Sequence, residues 1–524
     1  MTPRAITVGS AVLALGLCLV WFALPGNLAG LSAYDGGVYF GVALRLVHGV
    51  LPYRDFLFVE PPGIALLLSP LALLSEVIGT PAAFEASRLL TAAVAGANAG
   101  MAALLVRHRG RLAMAIAGGG LAVFPYAAPA THTVMLEPYL VLFMLAGLLV
   151  AQRTAEPSRW QLLAAGALLG LAGVCKVFAV FPFLGLLAWE AHKVRWRSGW
   201  LVVGAAVGFG VPAAPFLVLA PRRFLHLVVL DQLGRGGYNY RAVSLPARLG
   251  EVTGLPAVVG STAADLLSVV VVAGLAVSVA VLLRAHRRAA AAWWPADGLL
   301  VTVAGASLLE LLVGPGVFNH YTYFTAPLLG GVVAIVAVEV VGSARRSRQL
   351  GGPHARRGTV LRVGAAASVV LLGLVMARAN LAYAAEPFGG GQLGANGTII
   401  GPGPTIARSI PVGACAVSDD PVLLIEAGRF GSTVRDCPRL VDPFGMWMTA
   451  DHGTAAVGKP PYPRAVVAQW RHAFARADAL VLSTANQLDI PWTPTLERYL
   501  RTHFHVVSTL AVATVYLADR PQRR

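Results

Sequence analysis

The sequence predicts a polytopic α-helical membrane protein of about eleven transmembrane helices, followed by an extracytoplasmic α/β soluble domain at its C-terminal end. Three observations lead there. Of 524 residues, 56% are hydrophobic and only 13% charged, about half the charge of an ordinary soluble domain. Apolar runs long enough to cross about 30 Å of hydrocarbon recur along residues 1–377. After residue 378 the charge rises, and short strand-like and helix-like runs replace them. The first observation excludes an ordinary cytosolic enzyme, a disordered chain and a free nucleic-acid binder.

The apolar runs lie near 6–30, 86–106, 112–127, 138–151, 160–174, 177–190, 199–219, 255–283, 297–316, 322–341 and 359–377. The first reads as a membrane helix rather than a cleaved signal peptide, because its basic start is the single Arg4 and no good A-x-A site follows. The net charge of +16 is unevenly spread: residues 1–377 hold 27 Lys+Arg against 14 Asp+Glu, and residues 378–524 hold 14 against 11. Clusters at Arg107–Arg109–Arg111, Arg153/Arg159, Lys193–Arg195–Arg197, Arg284–Arg287–Arg288 and Arg345–Arg357 fall at every second loop. By the positive-inside rule they share the cytoplasmic side only if the N-terminus is inside and the last helix exits outward. The other loops collect Asp35, Asp55, Glu60, Glu76, Glu85, Glu137, Asp231 and Glu251. The expectation is a multi-pass protein of a bacterial plasma membrane with its C-terminal domain outside. The abundance of Ala, Gly, Val and Arg with three Lys suggests a GC-rich, actinobacterial source.

Two outer segments stand apart. Residues 31–85 form a long first loop, in which 37–49 and the Pro-flanked run 62–79 are expected to lie along the membrane surface. A Gly/Pro-rich linker, 378–404, leads to an α/β domain at 405–524. Strand-like runs Ala414–Ser418, Ala479–Ser483 and Val506–Leu517 alternate there with helical runs Val422–Gly428, Ala465–Arg476 and Thr495–Thr502. Cys18 and Cys175 sit in apolar helices. Cys415 and Cys437 are the pair an oxidising exterior would join, the alternative being two free buried thiols. No CxxC, HExxH or Walker pattern occurs.

The chemistry-bearing residues gather at predicted outer helix ends. Lys176, in LAGVCKVFAVFPFL, is costly in an apolar setting unless it snorkels or meets an anion. Asp35, in YDGGVYF, is either a solvated loop acid or a base at the bilayer surface. Charge and proline crowd His48–Phe56 and Glu60–Gly63. Glu137 before Pro138 suits a helix start as well as a site. His320 stands in NHYTYF, with Glu310 shortly before it.

As an ordered series these residues resemble a family. YDGGVYF, GVLPYRDF, EPPG, LEP, CK and NHYTYF, in that order across about 1–340, make the chain similar to GT-C-fold integral-membrane glycosyltransferases, the group of protein O-mannosyltransferases and lipid A aminoarabinose transferases. The chain departs from some relatives by carrying Pro61 where they place a lysine that contacts the donor phosphate. The C-terminal domain matches only in general architecture.

The resemblance implies transfer of a mannose- or arabinose-class sugar from a polyprenyl-phosphate donor to a glycan, lipid or protein acceptor on the outer face, in the bilayer and without nucleic acid. It implies inversion, with Asp35 as general base and Glu137 assisting. Lys176, Arg54, Arg222, Arg241 and His320 would hold the donor phosphate. Tyr34, Tyr53, Asp55, Glu60, Tyr321 and Tyr323 would contact substrate. No metal ligands are assigned, and assistance by a divalent metal is left open. The main alternative is a transporter or lipid flippase of the envelope, a class expected to show internal repeats and midplane charges. Neither is evident.

Overall fold

The structure, a computed structural model, describes residues 1–31, 33–193, 196–234, 243–288, 295–314, 316–349, 373–382, 392–393, 399–431, 434, 436–450, 457–484 and 487–519. It is predominantly helical. Among the described residues, five helices are long and apolar enough to span a membrane: Pro3–Phe22, Thr80–Leu105, Gly199–Leu219, Thr262–Ala280 and Ala296–Val313. Gly63–Ile78, Arg111–Ala122, Glu137–Ala151, Arg159–Cys175 and Ala326–Gly342 are apolar but shorter.

The sequence count of about eleven spans is therefore larger than the number of full-length ones, and local chemistry gives the reason. The 15 residues of Glu137–Ala151 cover only about 22 Å. Gly110 and Gly260, both at positive φ, stop the chain between Arg107–Arg109 and Arg111–Ala122 and between Pro256–Val259 and Ser261–Arg288. The run near 322–341 opens as the 3-10 turn Asn319–Phe324 before Ala326–Gln349. Most of the run near 359–377 lies outside the described residues, and a helix over 373–382 passes the expected boundary at 377.

Two helices anchor the site from one side. Arg159–Cys175 begins with a capping box between Ser158 and Gln161. It packs along Gly199–Leu219 through Gly166 and Gly170 on one helix and Gly204 and Gly208 on the other. A Cβ at any of the four would run into partner backbone at Leu201, Ala205, Leu163 or Ala167. Small residues four apart allow that approach where apolar lipid supplies no hydrophobic drive.

The C-terminal segment is a different kind of structure. Strands β1 (Gln392–Leu393) and β2 (Ile399–Ile400) pair antiparallel. Strands β3 (Ala416–Ser418), β4 (Ala479–Ser483), β5 (Phe504–Thr509) and β6 (Ala513–Ala518) form a mixed sheet in the order β3-β4-β6-β5, with β3 and β4 parallel. The run expected as one strand, Val506–Leu517, is a hairpin. Its reversal at Leu510–Val512 contains neither Gly nor Pro, so the turn left no mark in the sequence. Helices Pro421–Glu426, Arg464–Arg476 and Pro494–His503 match the expected helical runs. Trp447, Trp470 and Phe474 form the buried centre. Cys415 and Cys437 are joined in a disulfide, and Cys18 and Cys175 are buried thiols.

Helix Tyr34–Val47 ties the two regions together. A Cβ on Gly37 would stand 2.5 Å from Val422 Cγ2, and one on Gly41 2.7 Å from the Phe430 ring. Only glycine allows the C-terminal segment to sit so close. Arg88 reinforces the contact: its buried guanidinium donates to Gly30 O at 2.9 Å, to Leu28 O and to Glu426 Oε1 at 3.0 Å.

Candidate active site

A cavity of about 1340 Å³ opens where the helices meet the C-terminal segment. Asp35, in the first turn of Tyr34–Val47, lines it together with Tyr34, Tyr39, Glu60, Glu310, His320 and Tyr321. The C-terminal segment adds Asp442, Phe444, Lys459 and Asp489. Much of the remaining wall is apolar: Phe178, Phe181, Phe183, Phe209 and Leu233.

Tyr34 fixes the position of Asp35. Its hydroxyl donates to Asp442 Oδ1 at 3.0 Å and accepts from the Phe444 N–H at 2.9 Å. Asp442 is itself the N-cap of Pro443–Thr449, accepting from Gly445 N–H at 2.8 Å. Among the described residues no hydrogen bond reaches the Asp35 carboxylate. Burial raises that carboxyl to about 7; Asp442, Glu137 and Glu60 push the same way, and Lys176 opposes them.

Lys176 is held behind the wall. Its ammonium donates to Glu137 Oε1 at 2.5 Å and lies 3.7 Å from the centre of the Tyr321 ring and 4.5 Å from that of Phe178. Burial works against its charge, yet Glu137 outweighs it and keeps the ammonium above its ordinary value. Gly63 brings EPPG against this point: a Cβ there would stand 2.5 Å from Val174 O. Burial pushes the His320 imidazole down to about 4, so at neutral pH it is an uncharged ring. It stacks on Phe318 at 5.6 Å.

The expected site residues therefore divide. Asp35, Tyr34, Glu60, His320 and Tyr321 share the cavity. Glu137 and Lys176 do not line it, because each satisfies the other in a buried pair next to it. Arg54 is turned to Asp55, at 2.9 and 2.7 Å. Asp55 also accepts from Leu51 N–H at 2.7 Å, so this pair closes a turn rather than lining the cavity. Arg222 is exposed at the start of Pro221–Leu225. Arg241 lies outside the described residues. Tyr53 is fully buried among Phe58, Phe216 and Phe224, and its hydroxyl donates to Glu60 O at 2.6 Å. It positions the EPPG turn instead of meeting substrate. Tyr323 is buried away from the cavity, accepting from Asn98 at 3.5 Å. Sequence reasoning missed Asp442, Phe444, Lys459 and Asp489. The Asp442-Pro443 pair is a helix-start signal, but nothing local shows that this cap faces Tyr34.

Comparison with known proteins bears on the fold. The family model for Glycosyltransferase family 87 matches residues 58–296. The structure is similar to ArnT from Cupriavidus metallidurans bound to undecaprenyl phosphate, at TM-score 0.57 and 17% identity, over 97% of this chain and 98% of that one. The apo state of the same protein gives 0.58 and 17%, over 98% of each chain. The archaeal oligosaccharyltransferase AglB from Archaeoglobus fulgidus, in complex with an inhibitory peptide and a dolichol-phosphate, gives 0.55 and 12%, over 98% of this chain and 74% of that one. The chain therefore has the GT-C fold of these structures. A search of curated proteins by sequence gives no match. Among the described residues, no three His, Cys, Asp or Glu side chains converge as a metal-ligand set.

Proposed function

We propose that the protein is a membrane glycosyltransferase that moves a mannose- or arabinose-class sugar from a polyprenyl-phosphate donor to an acceptor hydroxyl on the extracytoplasmic face, with inversion at the anomeric carbon. The observation that carries the reading is Asp35: a carboxylate without a hydrogen-bond partner among the described residues, lining a large, mainly apolar cavity and titrating near neutrality. A base works best when its pKa lies near the working pH.

In the proposed step the acceptor hydroxyl attacks the anomeric carbon while Asp35 takes its proton. The bond from that carbon to the phosphate oxygen breaks, and its electron pair leaves on the polyprenyl phosphate. The leaving charge needs donors and a positive field. The neutral imidazole of His320 donates one hydrogen bond, and Lys176 acts through the Tyr321 ring as a fixed charge. Glu137 holds Lys176 in place. Phe181, Phe183, Phe209 and Leu233 suit the lipid tail. The undecaprenyl phosphate of the ArnT structure supports a lipid-linked donor.

The orientation proposed is N-terminus cytoplasmic and C-terminal segment outside. Arg109, in a predicted cytoplasmic cluster, donates to Asp297 and Glu339. Asp297 lies 13 residues before Glu310 of the cavity wall on Pro295–Val313, about 20 Å along the axis. The basic cluster and the proposed site thus lie at opposite ends of that helix. Purified protein in liposomes, offered labelled polyprenyl-phosphate mannose and arabinose, tests the activity. Turnover of one donor is expected. Turnover of neither, including slow hydrolysis, removes the proposal.

A further inference from the structure

The C-terminal segment contributes a buried carboxyl that the proposed chemistry does not use. Asp489 is 5% exposed, lines the cavity, and its side chain has no hydrogen-bond partner among the described residues. Its backbone is firmly held, since the indole N–H groups of Trp447 and Trp470 donate to its carbonyl at 2.7 and 2.9 Å. A buried polar group without a partner costs free energy, and a rigid one directed into a cavity is poised for a ligand. Burial, with Asp442 and Asp420 adding to it, raises this carboxyl to about 8. At neutral pH it is mostly the uncharged acid, able both to donate and to accept a hydrogen bond. Phe444, Met448 and Val457, from the same segment, add apolar lining to this cavity.

Hydroxyl groups on a ring with an apolar face match that combination, whereas a cation would require the ionised acid. The arrangement also says which substrate. Asp35 interacts electrostatically with Lys176, Glu137 and Glu60 on one side and with Asp442 on the other. Asp489 interacts with Asp442, Asp420, Asp419 and Tyr34. Tyr34, next to Asp35, bonds Asp442 of the C-terminal segment, which also carries Asp489, whereas Lys176 and His320 belong to the helical side. An inverting displacement brings its nucleophile in opposite to the leaving group. With the donor phosphate toward Lys176 and His320, the body of the acceptor must extend past Asp35 toward Asp489.

We propose that Asp489, with Phe444 and Met448, forms an acceptor subsite for a sugar ring, so that the acceptor is a glycan or glycolipid rather than a peptide. This rests on the glycosyltransferase reading for its direction, but the binding itself can be measured without turnover. The test uses full-length protein in lipid nanodiscs, without donor, titrated with octyl α-mannopyranoside and octyl α-arabinofuranoside and followed by saturation-transfer difference NMR. An octyl chain alone, as octanol, is the control. Wild type should bind one of the glycosides saturably through its ring protons. Asp489→Ala should weaken that binding at least tenfold. Asp489→Asn, which keeps a neutral donor and acceptor in the same shape, should stay within about threefold of wild type. The proposal is overturned if wild type binds neither glycoside, if octanol competes fully, or if both variants bind as wild type does. Glycoside binding lost in Asp489→Ala, in a protein that turns over no donor, would retain the subsite and remove the transfer reaction.

Discussion

Among the described residues, the helical region holds buried ion pairs between its own side chains, and the C-terminal segment holds none between its own. In the helices Lys176 meets Glu137, and Arg109 meets Asp297 and Glu339. In the C-terminal segment, among the described residues, Asp419 leaves Oδ2 without a partner, and Asp489 has none for its side chain. Burial pushes both carboxyls upward, Asp489 to about 8. Hydrocarbon makes an unpaired ion costly, and the helical pairs meet that cost, although Glu310 keeps Oε2 without a partner among the described residues. A segment with access to water can keep acids neutral and in reserve. The cavity lies where these two regimes meet, with Asp35 between them.

The predictions probe that boundary. The largest effect is expected for Asp35→Asn, which keeps shape and burial but removes the base: transfer should fall by about 10²–10⁴-fold, with donor binding retained. Residual activity near wild type, measured with the donor identified above, would contradict the assignment. Next is the paired charge. Lys176→Met strands a buried carboxylate and should destabilise by about 3–5 kcal/mol, while Lys176→Met with Glu137→Leu should regain most of that loss. Thermal unfolding in detergent reads both. A double variant as unstable as the single one would show that the pair is not the cause.

Reduction of Cys415–Cys437, which closes 22 residues, should cost the C-terminal segment about 3 kcal/mol. Its unfolding midpoint with and without reductant measures this. A smaller effect is expected at the boundary itself. The acid limb of the transfer profile should bend near pH 7, because Asp35 is protonated below that value and cannot take the acceptor's proton. Asp442→Asn removes a charge that raises Asp35 and retains a capping side chain, so the limb should move to lower pH. An unmoved limb would break the link between Asp442 and the base.

The smallest effect concerns stability alone. The folded-state carboxyl of Asp489, raised to about 8, holds a proton that an unfolded aspartate, near 4, has released. Its contribution is full below pH about 4 and is lost as pH rises through 8. Asp489→Asn should flatten that decline in the C-terminal segment, as followed by unfolding at pH 5 and pH 9.

Several particular residues were legible in one dimension. Glu137-Pro138 marks a helix start and is one. The helical and strand runs of the C-terminal segment were legible because period and composition are local properties. Asp35 was legible as an exposed-side acid at a helix exit, and its role came from the ordered series of motifs. Tyr53 and Tyr323 were misleading, since a tyrosine that donates its hydroxyl to a buried carbonyl and one that contacts substrate have the same letter. Lys176 was found by its cost in an apolar run, but the partner that meets that cost, 39 residues away, was visible only as a separate motif.

The sequence by itself determined that the chain is apolar and helical over most of its length and where its acids and bases separate, because hydrophobicity and charge are summed along the chain; it offered Asp35 and Lys176 as candidates. Only the tertiary structure decided that Lys176 stands behind Tyr321, that Arg54 belongs to a turn, and that Asp442 and Asp489 join Asp35 across more than 400 residues of sequence. Burial, hydrogen-bond partnership and electrostatic neighbourhood depend on through-space distance, and two glycines on one helix face, Gly37 and Gly41, set that distance here.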